Sequence, residues 1–340
     1  MKRALLVMLV LVSLATAAAV VGFRNWLARP LATGDTAVEI EIPRGQPLGA
    51  TARALAERGW LDHPRLLVAY ARLTGADERV RAGEYRIEPG TTPAALLRQF
   101  ASGQVLQHSI TIVEGWNFRD LRRTIEREAR LGQTLRGQED AEVMRRLGEP
   151  GQHPEGLFFP DTYLFDKGTD DLEILRRARA RMQSELAAAW DERAEDVPLA
   201  TPYEALILAS IIEKETALAG ERPRIGGVFV ERLRLGMRLQ TDPTVIYGIG
   251  PGFDGNLRRS DLERDGPYNT YVRAGLPPTP IALPGTGALR AAVRPDERGE
   301  LYFVATGIGD GSHRFSKTHA EHERAVAEYL GRLRERNRGR

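Results

Sequence analysis

The chain contains no cysteine. Disulfides, thiol nucleophiles and cysteine-ligated zinc are therefore excluded, although the redox compartment is left open. Lysine is scarce: Lys2, Lys167, Lys214 and Lys317 are the only ones, and arginine supplies almost all the positive charge. There is no large charge excess either. The formal net charge is +2, and the one arginine-rich run, Arg332 to Arg340, reads as a solvated helix end. Nothing in this balance calls for nucleic acid. Long apolar runs are missing except at the N-terminus. Ala4 to Phe23 is uncharged and mostly apolar, about 20 residues, which is enough to cross a bilayer. Met1-Lys2-Arg3 precedes it and Arg24 follows. A small-residue stretch, Ala15 to Ala19, would suit signal cleavage, but Val20 and Val21 continue the apolar run and favour a retained anchor. At 340 residues, the remainder is long enough for two domains.

After a short linker, Val38 to Ile42 alternates as a half-buried strand. Pro47 to Arg58 and Pro64 to Leu73 read as helices closed by Gly59 and Gly75, and Glu84 to Ile87 as a second strand. This strand–helix–helix–strand order outlines a LysM-like module, and a generic α+β unit shows the same order. Thr92-Pro93 opens a helix through Phe100. Val105 to Val113 reads as a strand, Phe118 to Glu149 as a charged helix broken at Gly132 and Gly137, and Leu172 to Trp190 as an amphipathic helix. Pro154 to Phe165 is aromatic and irregular, either a core-lining loop or a cleft wall. Pro223 to Leu235 suggests a further helix.

The stretch Thr201 to Gly220 stands apart. Thr201 is a good N-cap, Pro202 fits the first turn, Glu204 completes a capping box and Gly220 offers a stop. Ala205 to Ile212 is apolar on every side except at Ser210, the pattern of a buried helix. Glu213 lies at the edge of that run, where a carboxyl has a raised pKa and suits a general acid. The same placement also suits a glutamate that turns to solvent or pairs with an arginine. Glu215 falls about 200° further round the helix and serves another surface. Met237 to Gly287 is rich in Gly, Pro, Asn and Tyr, the composition of long functional loops.

The ordered set LASIIEKET (208–216), LQTDPTVIYG (239–248), PYNTY (267–271), GLPPTPI (275–281) and GSHRFSKTHAEH (311–322), with EGLFFPDTY (155–163) upstream, resembles the YceG-like family of endolytic murein transglycosylases. The resemblance spans about Val38 to Leu330. It implies an α+β protein with an N-terminal membrane anchor, a LysM-like βααβ subdomain and a larger mixed α/β catalytic domain. The expected limits are 1–3 for a cytoplasmic tip, 4–23 for the anchor, 24–36 for a linker, 37–103 for the LysM-like part and 104–335 for the catalytic part. The family acid matches Glu213. Gln240, Thr241, Asp242, Asn269, Tyr271 and His313 lie in matching motifs and become candidate substrate contacts, although a turn or loop role fits each of the first five equally well. The implied substrate is the glycan strand of peptidoglycan, cut between N-acetylmuramic acid and N-acetylglucosamine to leave 1,6-anhydromuramic ends. The implied setting is the cytoplasmic membrane with the catalytic part outside, near penicillin-binding synthases, without cofactor or metal. Two positions depart from the family pattern: Leu283 and Arg294 stand where it has asparagines. A binding-only wall scaffold is the alternative from another class. A metallohydrolase built on His313, His319, Glu321 and His322 lacks a recognised ligand spacing.

Overall fold

The computed structural model describes residues 2–338; Met1 of the expected tip lies outside them. It is a mixed helix and sheet protein with an N-terminal apolar helix, and it divides into two compact units: residues 1–108 with 164–168, and 109–163 with 169–340.

In the first unit, α1 (Lys2–Ala28) runs past Phe23 without a break. Its stretch Arg3–Ala28, which contains an 18-residue window of mean hydropathy 2.7, is long and apolar enough to cross a membrane, and Leu5 to Val21 present their side chains outward. β1 (Val38–Ile42), α2 (Leu48–Glu57), α3 (Pro64–Thr74), β2 (Gly83–Ile87) and α4 (Pro93–Ser102) follow. The expected strand–helix–helix–strand order is present. β1 and β2 pair antiparallel, with Val38 opposite Ile87 and Ile42 opposite Gly83. Their period-two alternation puts Ile40, Ile42, Tyr85 and Ile87 on one buried face, against Leu55, Leu67, Leu96 and Phe100 of the helices. Tyr85 satisfies its buried hydroxyl by donating to Arg81 O at 2.7 Å. Gly75 ends α3 in the left-handed region that a side chain would strain.

β3 (Gln107–Thr111), shorter than expected, and β4 (Thr162–Asp166), the end of the aromatic stretch, each run across the division between the units. The second unit is mostly helical. The charged segment 118–149 is not one broken helix. It forms α5 (Phe118–Arg127) and α6 (Asp140–Arg146), joined by a loop that buries Leu131 and Leu135. The buried carboxylate of Asp171 holds that loop by accepting from Leu135 N at 2.9 Å and Thr134 Oγ1 at 2.7 Å, so tertiary bonds replace helical ones there.

Then come α7 (Asp171–Asp191), α8 (Pro202–Glu215), α9 (Arg222–Arg234), α10 (Asp242–Ile249), α11 (Arg259–Glu263), α12 (Thr286–Val293), β5 (Tyr302–Ala305), β6 (His313–Ser316) and α13 (His319–Arg338). The unit is built around α8, whose residues Ala205 to Ile212 are all buried. It packs against α7, α9 and α12. Close approach of α9 and α12 depends on Gly226, since a Cβ there would lie 2.4 Å from Ala291 O. The N-terminus of α8 is as read, with Thr201 Oγ1 accepting from Glu204 N at 3.2 Å, although Glu204 answers to Ala200 N rather than to the cap residue. Its C-terminus is not. The helix stops at Glu215, because Thr216 turns extended and buried, and Gly220 belongs to a separate short turn, Ala219–Glu221.

Candidate active site

Glu213 sits in the last turn of α8, with a side chain only 5% exposed. Oε1 accepts from Arg222 Nη2 at 2.8 Å, and Oε2 accepts from Gly285 N at 3.0 Å. Arg222 is the first residue of α9 and also reaches Glu114 Oε2 at 3.4 Å. One turn earlier on α8, Ser210 Oγ accepts from Ile281 N at 2.9 Å. α8 therefore holds both ends of the segment 281–285 through two polar side chains on one face. The middle of that segment pairs with the turn before α5: Leu283 N donates to Trp116 O at 2.7 Å, and Gly115 N donates to Leu283 O at 2.9 Å. Leu283 is fully buried there. A Cβ on Gly285 would overlap the Glu114 carboxyl where it now lies, so Glu114 would have to swing aside. Burial raises the pKa of Glu213; the Gly285 N–H and the Arg222 charge pull in the opposite direction, and Glu114 adds to the rise.

Glu215 turns the other way, as its helical phase requires, but not to solvent. Its carboxyl is buried and accepts from Thr241 Oγ1. Burial pushes it up to about 7. Thr241 is itself buried, with its N–H on Thr270 Oγ1 at 3.1 Å. Arg232 Nη1 donates to Leu239 O at 2.7 Å. Between these anchors Gln240 is exposed, and it is the one non-glycine residue with positive φ among the described residues, at 50°. Such a conformation persists only where the surroundings impose it. Asp242 opens α10 and accepts from Tyr271 Oη at 2.6 Å. Asn269 is buried; its amide donates to the carbonyls of Asp261, Leu262 and Arg264, and its oxygen accepts from Tyr271 N. Its polar capacity is used inside its own loop, so it shapes the loop rather than facing out of it.

A cleft of about 1120 Å³ lies in the same unit. Gly115 and Lys214 line it, and a Cβ on Gly115 would lie 4.0 Å from Glu213 Cγ. α5 contributes Phe118 and Arg119; the α10 region contributes Tyr247 and Phe253, and Tyr268 stands against Tyr247 at 4.9 Å between ring centroids. Glu155, which sequence reading passed over, also lines this cleft while only 3% exposed. It accepts from Phe118 N at 3.0 Å and from Tyr247 Oη at 3.1 Å, and burial raises it to about 7. The available signal was one carboxylate inside the otherwise apolar run PEGLFFP.

Residues 40–328 match the model of the YceG-like family. The chain belongs to the YceG-like family. A Bacillus subtilis protein named endolytic murein transglycosylase is 30% identical over 318 residues, covering 88% of this chain and 87% of the relative. A Streptococcus pneumoniae protein of the same name is 26% identical over 326 residues, covering 86% of this chain and 58% of its own longer length. A solved YceG-like protein from Listeria monocytogenes aligns with TM-score 0.54 at 28% identity, covering 86% of this chain and 99% of that one.

In this YceG-like chain the six candidate contacts do not form one cluster. Thr241 bonds Glu215 and Asp242 lies near it, Tyr271 joins them through Asp242, and Gln240 is exposed beside Thr241. His313 binds Glu221 instead, with its N–H on Oε1 at 3.0 Å and Nδ1 2.8 Å from Oε2. His319 faces Glu323 at 3.6 Å, and His322 stacks on Tyr302.

Proposed function

We propose that this chain is an endolytic murein transglycosylase, a lyase acting on peptidoglycan glycan strands, with Glu213 as its acid and base. The observation that carries this reading is the sheltered Glu213 carboxyl, held between an arginine and a backbone N–H, in a chain of the YceG-like family. A carboxyl with a burial-raised pKa can hold a proton near neutral pH. Protonated Glu213 gives that proton to the glycosidic oxygen as the bond from muramic acid C1 breaks. The carboxylate so formed then takes the proton of the same sugar's C6 hydroxyl as that oxygen bonds to C1. The products are a free N-acetylglucosamine 4-hydroxyl and a 1,6-anhydromuramic end, with no water consumed. The nucleophile belongs to the substrate, which supplies a large proximity advantage and removes the need for a second catalytic carboxylate.

Gln240, held in its strained conformation, and the Asp242–Tyr271 pair are assigned to substrate contacts on the Glu215 side of α8, and Thr241 and Asn269 to support beneath them. His313, bonded to Glu221, is assigned to the outer substrate contacts. The 37–103 part is assigned as LysM-like and glycan-holding, and the 104–335 part as catalytic. α1 anchors the chain in the cytoplasmic membrane with the remainder outside, within reach of penicillin-binding synthases. Muropeptide mass spectrometry after digestion of peptidoglycan tests the reaction: anhydro ends support it, and hydrolytic reducing ends would show that water is the nucleophile.

A further inference from the structure

The cleft carries two cations that form no ion pair, although the charge of Lys214 also acts on its neighbour Glu213. Arg119 lines it from the second residue of α5; it is exposed and, among the described residues, makes no hydrogen bond or ion pair. Lys214 also lines it and donates only to Gly115 O, at 3.2 Å. The neighbouring arginines are already matched: Arg122 with Glu126 and Asp140, and Arg123 with Asp120. Arg119 also stands against the positive end of the α5 dipole, where a cation lowers helix stability. A residue that breaks a local rule without a compensating partner in the fold is a candidate for a function outside it. Four carboxylates also line the cleft, and each is bonded within the fold: Asp120, Glu126 and Asp140 to arginines, and Glu155 to Phe118 N and Tyr247 Oη. Tyr247, Phe253 and Tyr268 offer ring faces and edges of the sort that pack on pyranose rings.

We infer that Arg119 and Lys214 form a carboxylate subsite for the substituent on O3 of N-acetylmuramic acid. The inference rests on the proposed function. In an alternating glycan strand, only the muramic unit brings a carboxylate, either on its lactyl group or on the acidic peptide attached to it. N-acetylglucosamine is neutral. Rings alone accept either sugar, so a strand held by the aromatic side chains could slip by one unit. A cationic subsite removes that ambiguity, because it accepts every second sugar only. It thereby sets which of the two alternating bonds faces Glu213, and electrostatic complementarity of this type sets register more than raw affinity.

The test uses the full chain in detergent with Glu213→Gln, so that strands stay intact. Its probes are peptide-bearing uncrosslinked strands, amidase-stripped strands with free lactyl carboxylates, and a neutral chitooligosaccharide. Adding Arg119→Ala should weaken muramic-strand binding by about tenfold, the scale of one lost hydrogen bond to a charged group, and flatten its salt dependence. Chitooligosaccharide binding should not change, and Arg119→Lys should keep most of the muramic-strand affinity. Loss confined to peptide-bearing strands assigns the subsite to the peptide carboxylates; loss on stripped strands assigns it to the lactyl group. Equal binding of the parent and Arg119→Ala to all three probes overturns the subsite, and so does an equal loss on the neutral probe. Failure of the unsubstituted chain to cut any muramic strand would instead sink the proposed function, while the binding comparison would still be readable.

Discussion

Arg222 Nη2 lies 2.8 Å from Glu213 Oε1 and 3.4 Å from Glu114 Oε2, so one guanidinium is shared between a sheltered carboxyl and an exposed one. The sharing makes the proton affinity of Glu213 adjustable. An Arg222 drawn toward Glu114 leaves Glu213 to its burial and more readily protonated; an Arg222 drawn inward favours the carboxylate. The acid-then-base role proposed for Glu213 would be well served by such a partner.

Glu213→Gln fills nearly the same volume, retains an acceptor for Gly285 N, and removes the transferable proton. It should fold like the parent and lose on the order of 10²–10⁴ in cleavage rate. Release of soluble muropeptides, alongside thermal melting, checks both halves. Full activity in a well-folded variant would remove Glu213 from the chemistry.

Arg222→Gln should move the basic limb of the pH–rate profile upward. Arg222 lowers the pKa of Glu213, so its loss lets the acid form persist to higher pH. Glu114 raises that pKa, so Glu114→Gln should shift the same limb downward. Profiles of kcat/KM for the two variants that move in the same direction would contradict this arrangement.

Glu155 and Glu215 are both raised to about 7 from an ordinary value near 4.5. Between those pH values the folded chain holds protons that the unfolded chain has released. Its stability should therefore fall as pH rises from about 4.5 to 7, by on the order of 3 kcal/mol for each group, and level off above. Urea unfolding across pH measures this. Glu215→Gln should reduce the slope, and an unchanged slope would mean that Glu215 is not protonated in the fold.

Thr241→Val removes the side-chain hydroxyl bonded to Glu215 and leaves a buried carboxyl short of a donor. A cost of about 1–3 kcal/mol is expected. Because Gln240 is held in its strained conformation by the same anchors, cleavage rate should fall by more than the stability loss explains. Gly226→Ala, by contrast, should lower stability by about 1–3 kcal/mol through overpacking against Ala291 O, with little effect on the rate per folded molecule.

A reporter fused after Arg340 should be active only outside the cytoplasm, given Lys2 and Arg3 before the apolar helix. A mature N-terminus near Val20 would show cleavage instead.

What the sequence determined by itself was local or ordered along the chain. Period-two alternation in 38–42, the Thr201 cap, the apolar run through Ile212 and the outward apolar α1 all follow from nearest-neighbour periodicity and capping, and the structure has them. The family motifs were legible because they are short and come in order. Tertiary structure decided the rest. The end of α8 came from Thr216 being drawn into the interior, against the pull of Gly220. Glu215 reads as a surface residue in helical phase, yet the loop carrying Thr241, remote in sequence, folds over it and buries it. Glu155 is raised by burial, against the opposing pull of hydrogen bonds from Phe118 and Tyr247, residues far from it in the chain. The partners of Glu213 come from α9 and from the segment before α12. Burial and charge are properties of what surrounds a group in space, and helical or strand periodicity carries no information about surroundings supplied by distant segments.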